Sequence, residues 1–224
     1  MATPIAIVGN SGTGKSTSIL PNPDLGIKGL DPLKTVIINV AEKPLPTKGW
    51  RKMVPEKHIF QTSKVSEIVP LIEKIGAGEN IENVVIDDAQ YIMAFEYFER
   101  AKENGYGKFT DIAQNITKVI TAVRKIKRNI HVFFLWHPER NENGDLKMKT
   151  VGKLIDNALT LEGLFTTVLY SDVDKTDNGI QYRFVTNHDG QYPAKSPQGM
   201  FPALYIKNDL GYVVECTKKF DDGE

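Results

Sequence analysis

The segment Gly9–Ser16 (GNSGTGKS) has the residue types and the spacing of a loop that binds phosphate groups. It matches the pattern G-x-x-x-x-G-K-[ST] at every fixed position and follows the apolar run Pro4–Val8, which predicts a buried strand. Glycines let successive backbone amides face a phosphate, while Lys15 would reach the β- and γ-phosphates and the Ser16 hydroxyl would bind Mg²⁺. The residues expected to contact a nucleotide are Gly9, Asn10, Ser11, Gly12, Thr13, Gly14, Lys15, Ser16 and Thr17.

Two aspartates follow a second apolar run. The run Asn83–Ile86 predicts another buried strand, and Asp87 and Asp88 come directly after it. Because a carboxylate at the C-terminal end of a parallel strand faces the ligand crevice, we expect Asp87 to bind Mg²⁺ together with Ser16. Asp88 is a candidate for orienting the attacking water. The alternative is that both aspartates cap a helix that begins at Ala89.

Two further polar residues stand at the ends of predicted strands. Glu42 follows Thr35–Val40 and is a second candidate for the general base, with a solvated loop charge as the equal alternative. His137 follows His131–Trp136, and a side chain there could contact the γ-phosphate and report its presence to the next loop. A histidine that caps a turn before Pro138 is the alternative. The candidate catalytic residues are therefore Lys15, Glu42, Asp88 and His137.

The stretch from residue 111 to residue 153 is basic within a chain of zero net charge. It contains nine basic and four acidic residues, which give a local charge of +5. A basic loop beside a nucleotide site could track the backbone of single-stranded DNA. Cations in the last turn of a helix, at Arg124–Arg128, are the alternative explanation for part of this charge. The candidate DNA contacts are Arg140, Lys147, Lys149 and Lys153.

The loop Gly9–Ser16 has no arginine in it or next to it. A cation that stabilises the transferred phosphoryl group can come from a neighbouring subunit, which favours a homo-oligomer. The candidates for such a cation are Lys153, Lys195 and Arg183.

The composition is that of an ordinary globular protein. The 224 residues are 41% hydrophobic and 25% charged, with 28 basic and 28 acidic side chains. This balance produces no global field that would attract nucleic acid or a membrane surface. Apolar runs such as Val132–Trp136 are too short to span a bilayer, and because the first strand begins so early we expect no leader. With Cys216 as the single cysteine, we expect a reducing, cytoplasmic location.

The order of the predicted elements is typical of an α/β fold. Strands alternate with helices, which predicts right-handed crossovers and a mostly parallel sheet flanked by helices. A C-terminal antiparallel hairpin is predicted from Thr166–Tyr170 and Ile180–Thr186, with another strand near Tyr212–Cys216. We expect one domain over residues 1–220 and a disordered acidic tail at Asp221–Glu224.

Helical spacing of apolar residues predicts three long helices, at Val65–Ile75, Ala89–Glu103 and Thr110–Arg128. The helix after the phosphate loop must be short because Pro21 lacks the amide hydrogen that a helix interior requires. Residues His137–Gly152 show no periodicity, so we interpret them as a loop.

This order of elements resembles the RecA-type ATPase core, in which a phosphate loop is combined with strands that end in a glutamate, an aspartate and a polar sensor. More narrowly, six segments together resemble bacteriophage ATP-binding proteins, which are usually labelled AAA-family or RecA-like ATPases. This group is similar to the Sak-four class of single-strand annealing proteins. The resemblance runs from about Ile5 to about Tyr212, and its segments are GNSGTGKSTSI, TVIINVAEKPLPTKGW, VVIDDAQYIM, KFTDIAQNI, TLEGLFTTVLY and AKSPQGMF.

The resemblance implies a Mg²⁺-dependent ATP hydrolase of phage DNA recombination or replication. It implies that ATP binding tightens the grip of a homo-oligomer on single-stranded DNA, and that a single-strand DNA-binding protein is a further partner. Asp87 would be the metal-side aspartate, and Glu42 takes the place of the catalytic glutamate. His137 takes the place of the strand-end sensor, and Glu139–Gly152 that of the DNA-contacting loop.

Two other functions remain open on the sequence. A small nucleotide kinase also uses a phosphate loop, but its lid needs arginines, and Glu139–Lys149 contains only Arg140. An ATP-driven switch or assembly protein that does not bind DNA agrees with the zero net charge. The absence of an N-K-x-D guanine motif in the sequence favours ATP over GTP.

Overall fold

The computed structural model describes residues 1–152, 159–176 and 179–223. These residues form a mixed eight-stranded sheet with helices on both faces and a separate two-stranded hairpin. The strands are β1 (Thr3–Val8), β2 (Thr35–Asn39), β3 (Ile59–Phe60), β4 (Asn83–Asp87), β5 (His131–Trp136), β6 (Pro138–Arg140), β7 (Leu146–Met148), β8 (Thr167–Thr176), β9 (Gly179–Val185) and β10 (Tyr205–Lys207). The α-helices are α1 (Trp50–Met53), α2 (Val65–Ala77), α3 (Gln90–Glu99), α4 (Gly107–Arg124) and α5 (Leu210–Asp222).

The strands of the large sheet follow the order β10-β9-β8-β1-β5-β4-β2-β3. β1 pairs in parallel with β5 and β8, and β4 pairs in parallel with β5 and β2. β9 and β10 are added antiparallel at one edge. The predicted α/β fold, mostly parallel with a C-terminal antiparallel portion, is therefore confirmed. Because β5 lies between β1 and β4, the residues that follow these three strands meet at one edge of the sheet.

Apolar side chains at successive strand positions divide the core into two layers. Ile86 and Phe134 point to the face that is covered by α2, α3 and α4. Their neighbours Val85 and Leu135 point to the opposite face, which is covered by α5 and by the segment that follows β1. Both faces of the central strands are therefore buried, which explains why these strands are continuous apolar runs rather than alternating ones.

The three predicted long helices are confirmed as α2, α3 and α4, with different ends. α4 ends at Arg124 instead of Arg128. The guanidinium group of Arg128, beyond the end of the helix, donates hydrogen bonds to backbone carbonyls just beyond α2, including that of Glu79 at 2.7 Å. None of the helices in the described ranges is long and apolar enough to cross a membrane.

The segment from His137 to Gly152 contains regular structure, so its prediction as a loop is wrong. β6 and β7 pair antiparallel, with Pro138 opposite Met148. The turn between them is held by Asn141, whose side-chain oxygen accepts backbone hydrogen bonds from residues 143 and 145 at 3.0 and 2.8 Å. Strands of three residues are too short for a period-two pattern to be recognised in a sequence.

The C-terminal segment is helical where we predicted a strand. α5 includes all of Tyr212–Cys216, so that strand prediction is wrong. The helix also includes Asp221 and Asp222, so the boundary predicted at residue 220 falls inside a helix. Asp209 caps the helix, because its side chain accepts a hydrogen bond from the Tyr212 backbone N–H at 3.2 Å.

His131 begins β5 and is 1% exposed. Neither of its ring nitrogens has a hydrogen-bond partner among the described residues. Burial, with a smaller contribution from the charge of Lys218, lowers the pKa of His131 to about 4. The folded protein therefore holds this imidazole in its neutral form at pH 7.

We expect the contribution of His131 to the free energy of unfolding to fall as the pH is lowered from about 6.5 towards 4. In this window the unfolded chain binds a proton at His131 that the folded chain does not, so the loss approaches about 1.4 kcal/mol per pH unit. His131→Leu should flatten this dependence in urea denaturation measured at several pH values. The exposed His188 provides the control, since His188→Gln should follow the wild type; equal slopes for wild type and His131→Leu would contradict the prediction.

Candidate functional site

The phosphate-loop segment Gly9–Thr17 connects β1 to a single 3-10 turn at Ser16–Ser18. Gly12 and Gly14 have φ angles of 80° and 89°, which residues with a side chain rarely adopt. The predicted short helix after the loop is confirmed, and it consists of this 3-10 turn of three residues. The loop therefore curls back beside the end of its own strand.

Lys15 lies inside this loop and is 6% exposed. Its ammonium group donates hydrogen bonds to the carbonyls of Gly9 and Asn10, at 2.6 and 2.9 Å. Burial lowers the pKa of Lys15 to about 8, while the charges of Asp88 and Asp87 oppose the shift. Lys15 thus remains a cation at pH 7, held at the point that a bound phosphate would approach.

Ser16 and Asp87 meet across the sheet although 71 residues separate them in sequence. The Ser16 hydroxyl donates a hydrogen bond to Asp87 Oδ1 at 2.9 Å. Burial and the charge of Asp88 raise the pKa of Asp87 to about 6, although the hydrogen bond from Ser16 opposes the shift. A buried carboxylate with so little compensating charge would be stabilised by a divalent cation.

Asp88 turns away from β4 with a left-handed φ angle of 61°, which costs about 1–2 kcal/mol in a residue other than glycine. Its Oδ1 accepts a hydrogen bond from His137 Nε2–H at 3.1 Å, and its Oδ2 forms an ion pair with Lys43. Burial alone would raise the pKa of Asp88, but these two partners outweigh it and lower the pKa to about 2. The helix-capping alternative does not apply, because α3 begins without a side-chain cap.

Glu42 lies at the same edge of the sheet, three residues beyond β2. Its φ angle is 55°, and its backbone N–H donates to the Asn39 carbonyl at 3.3 Å. Asn39 is in register with Asp87, so the turn that carries Glu42 passes beside the end of β4. The side chain is exposed and makes no hydrogen bond or ion pair with the described residues.

His137 connects the aspartates to the hairpin. Its backbone N–H donates to the side chain of Gln90 at 3.3 Å, and its carbonyl accepts from the Lys149 N–H at 2.9 Å. β6 begins at the next residue, Pro138. A movement of His137 relative to Asp88 would therefore displace residues at both ends of the hairpin, Pro138 and Lys149.

A cavity of about 620 Å³ lies beside the phosphate loop, and the sequence analysis did not predict it. It extends from Gly12 and Gly14 to the exposed apolar side chains of Leu25, Ile180 and Tyr182. Its lining also includes Ile27, Lys207, Asn208 and Asp209. An apolar cavity next to a phosphate loop has the character of a site for the nucleoside part of a nucleotide.

Asn208 and Asp209 join β10 to α5 and hold this cavity together. Asn208 Nδ2–H donates to the Thr13 carbonyl at 3.4 Å, whereas its buried Oδ1 has no partner among the described residues. Asp209 accepts the backbone N–H groups of Lys28 and Gly29 at 2.9 and 3.0 Å. Neither residue is among the site residues predicted from the sequence, although an aspartate before an amphipathic run is a helix N-cap signal.

Three of the four predicted DNA contacts lie within the described residues. Arg140 and Lys149 are exposed on or next to the β6–β7 hairpin, whereas Lys147 forms an ion pair with Glu139 at 3.0 Å. Arg140 also lines a cavity of about 210 Å³ that Asn10 of the phosphate loop shares. Lys153 lies outside the described residues.

Arg183 was one of three candidates for a cation supplied to a neighbouring subunit. The Arg183 guanidinium forms ion pairs with two carboxylates of its own chain, Asp172 at 2.9 Å and Asp174 at 2.6 Å. It also stacks over the ring of Tyr205 at 4.1 Å. These contacts neutralise Arg183 within its own subunit.

We expect Gly9→Ala to destabilise the protein by about 1–3 kcal/mol, because a Cβ at this position would lie 1.8 Å from the Ser171 hydroxyl oxygen. Ser171→Ala removes that atom, so the double variant should recover part of the loss in thermal denaturation. Gly163→Ala is the matched control, since a Cβ there meets nothing within 4 Å. A Gly9→Ala variant as stable as Gly163→Ala would show that β8 does not press against the loop.

Comparisons with known proteins identify a family and one solved structure that are similar to this chain. No curated protein matches the chain. A solved KaiC-like protein from the hyperthermophilic archaeon Pyrococcus horikoshii OT3 is similar, with 14% sequence identity and a TM-score of 0.48 over 87% of this chain and 83% of that chain. The AAA domain family model matches residues 1–198, which contain the phosphate loop, both aspartates and His137. The chain belongs to the AAA domain family of P-loop ATPases.

Proposed function

We propose that this protein hydrolyses ATP in the presence of Mg²⁺. The observation that carries the proposal is the convergence of Lys15, Ser16 and Asp87 at one edge of the sheet. A buried ammonium lies in the phosphate loop, and a hydroxyl lies 2.9 Å from a buried carboxylate on a different strand. These are the groups that phosphoryl transfer from a nucleoside triphosphate requires.

Ser16 and Asp87 fit a Mg²⁺ ion. They supply two oxygen donors, and burial leaves the Asp87 carboxylate without enough compensating charge, as its raised pKa of about 6 indicates. Mg²⁺ is commonly bound by one or two protein oxygens together with phosphate oxygens and water. When bound, Mg²⁺ would offset the negative charge of the phosphate groups.

We assign different roles to the two candidate acids. Asp88 is a poor proton acceptor, because His137 and Lys43 hold it ionised with a pKa of about 2, so it orients the attacking water. Glu42 is exposed and has no partner among the described residues, so it accepts the proton. The water oxygen bonds to the γ-phosphorus as the bond to the β–γ bridging oxygen breaks, which yields ADP and phosphate.

Lys15→Ala should lower ATP turnover by about 100-fold or more, because it removes the charge that meets the developing negative charge on the phosphate oxygens. Phosphate release measured with Mg²⁺ present tests this, and removal of Mg²⁺ with EDTA should have a comparable effect. Lys48→Ala, at an exposed lysine of the loop after β2, is the control and should keep wild-type turnover. Normal turnover by Lys15→Ala would place hydrolysis elsewhere.

We further propose that ATP binding regulates a single-stranded DNA site on the β6–β7 hairpin. Lys149 lines a cavity of about 430 Å³ together with His137, Tyr91 and Phe98. Phe98 is 68% exposed. Cations beside exposed aromatic rings are the elements with which proteins bind single-stranded nucleic acid, through phosphate contacts and base stacking. His137 belongs to both this cavity and the Asp88 contact, which supports coupling between the two sites.

The resemblance to phage annealing ATPases supports a role in strand annealing. In this proposal the protein acts as a homo-oligomer in phage DNA recombination or replication, where ATP binding tightens its grip on single-stranded DNA and hydrolysis releases it. A single-strand DNA-binding protein is the proposed additional partner. The site of action would be the cytoplasm of the bacterial host.

The double variant Arg140→Gln/Lys149→Gln should bind single-stranded DNA more weakly than the wild type in fluorescence anisotropy. The slope of log affinity against log salt should fall by about 0.7 for each phosphate contact removed. Lys52→Gln/Lys57→Gln carries the same charge change at exposed positions before β3 and should bind like the wild type. Equal affinity and slope for both double variants would move the DNA site away from the hairpin.

The same preparation tests the two alternatives. ATP turnover that does not respond to single-stranded DNA would favour an ATP-driven switch for a protein partner. Transfer of the γ-phosphate to a nucleoside monophosphate would favour a nucleotide kinase.

A further inference from the structure

Lys43 lies at the end of the turn that follows β2. Asn39 holds this turn from two sides, since its Oδ1 accepts the Lys43 N–H at 3.2 Å and its Nδ2–H donates to the Lys43 carbonyl at 2.5 Å. The N–H of Val40 donates to the carbonyl of Asp87 at 3.2 Å, which ties the turn to the end of β4. The backbone of Lys43 is therefore fixed beside the candidate metal site.

The ammonium group of Lys43 forms an ion pair with Asp88. The partners differ in exposure, since 4% of the Asp88 side chain is accessible to solvent but 61% of the Lys43 side chain. Asp88 also keeps its hydrogen bond from His137 at 3.1 Å, so its carboxylate would retain a partner if Lys43 moved. Among the described residues the Lys43 ammonium has this one polar contact, so a stronger anion could attract it at the cost of a single pair.

Lys43 and Lys15 are close enough for their charges to interact with each other and with Asp87 and Asp88. Burial is the main reason for the lowered pKa of Lys15, and the charge of Lys43 adds to the shift. The two ammonium groups are balanced by the carboxylates of Asp87 and Asp88. A triphosphate would bring several additional negative charges to this region, and its terminal phosphate would compete with Asp88 for Lys43.

The polar and ring contacts of the arginines lie away from the phosphate loop, although Arg140 lines a cavity that Asn10 shares. All six are described, and each contacts groups outside the loop Gly9–Thr17. Their contacts are Arg51 with Trp50, Arg100 with Glu96, Glu103 and Asp111, Arg124 with the Leu164 carbonyl, Arg128 with carbonyls at residues 78–81, Arg140 with the Gly144 carbonyl, and Arg183 with Asp172 and Asp174.

We propose that Lys43 is a catalytic residue that binds the γ-phosphate of ATP and gives up its ion pair with Asp88 when it does so. The inference rests on the proposed ATP hydrolysis and adds a cation from the same subunit to it. ADP has no γ-phosphate and leaves the ion pair between Lys43 and Asp88 intact. Lys43 therefore distinguishes the two nucleotides, and Asp88, left with His137, passes the difference to the hairpin.

The test compares full-length wild type, Lys43→Ala, Lys43→Arg and Lys48→Ala. ATP turnover is measured with Mg²⁺, and equilibrium affinities are measured for ADP and for the non-hydrolysable analogue AMP-PNP. Lys43→Ala should lower kcat and the AMP-PNP affinity by roughly 10- to 100-fold, because one charge-assisted contact is lost, and should leave ADP affinity within about 2-fold. Lys43→Arg should restore part of the preference for AMP-PNP, and Lys48→Ala should match the wild type.

Three outcomes would overturn the inference. If wild type turns over ATP and Lys43→Ala keeps its kcat and its preference for AMP-PNP, Lys43 does not bind the γ-phosphate and the proposed hydrolysis stands. If Lys43→Ala weakens ADP and AMP-PNP equally, Lys43 only supports the fold of the site. If the wild type shows no turnover, the proposed function fails, and the role of Lys43 in it fails too.

Discussion

The position of β5 between β1 and β4 is the constraint on which the rest of the site depends. All three strands run parallel, so their C-terminal ends deliver the phosphate loop, His137 and the aspartates to one edge of the sheet. The inserted strand keeps β1 and β4 two strand spacings apart, about 10 Å. Ser16 bridges this separation from the first turn after the loop, and its hydroxyl reaches Asp87 at 2.9 Å.

Except for Glu42, the charged groups at this edge each have a defined neighbour. Lys15 is held by loop carbonyls, Asp88 by His137 and Lys43, and Asp87 by the Ser16 hydroxyl. The two adjacent carboxylates have opposite pKa shifts because their partners differ, with Asp87 raised to about 6 and Asp88 lowered to about 2. This separation suits one carboxylate for a cation and the other for hydrogen bonding to water.

The C-terminal part of the chain completes the nucleotide side of the site. β10 and α5 meet at Asn208 and Asp209, and Asp209 fixes both the start of α5 and the backbone of Lys28 and Gly29. The approach is close, since a Cβ on Gly211 would lie 2.1 Å from the Gly29 carbonyl oxygen. The segment that contains Gly29 is thereby packed against the start of α5, and residues 25–27 and 207–209 line the cavity beside Gly12 and Gly14.

The sequence by itself determined the phosphate loop, the central strands, the order of the long helices and the placement of Asp87, Asp88, Glu42 and His137 at strand ends. Local patterns suffice for these features, because a loop that binds phosphate needs fixed residue spacings and a strand buried on both faces must be apolar throughout. Short elements escaped prediction: the β6–β7 hairpin has too few residues to show a period, and α5 was read as a strand although Asp209 marks its start. Only the tertiary structure decided which partners Asp88 has, that Lys43 lies beside it, and that Tyr182 and Asn208 line the cavity beside the phosphate loop. Those contacts join residues that are far apart in sequence, and they depend on strand order and backbone turns that no local pattern records.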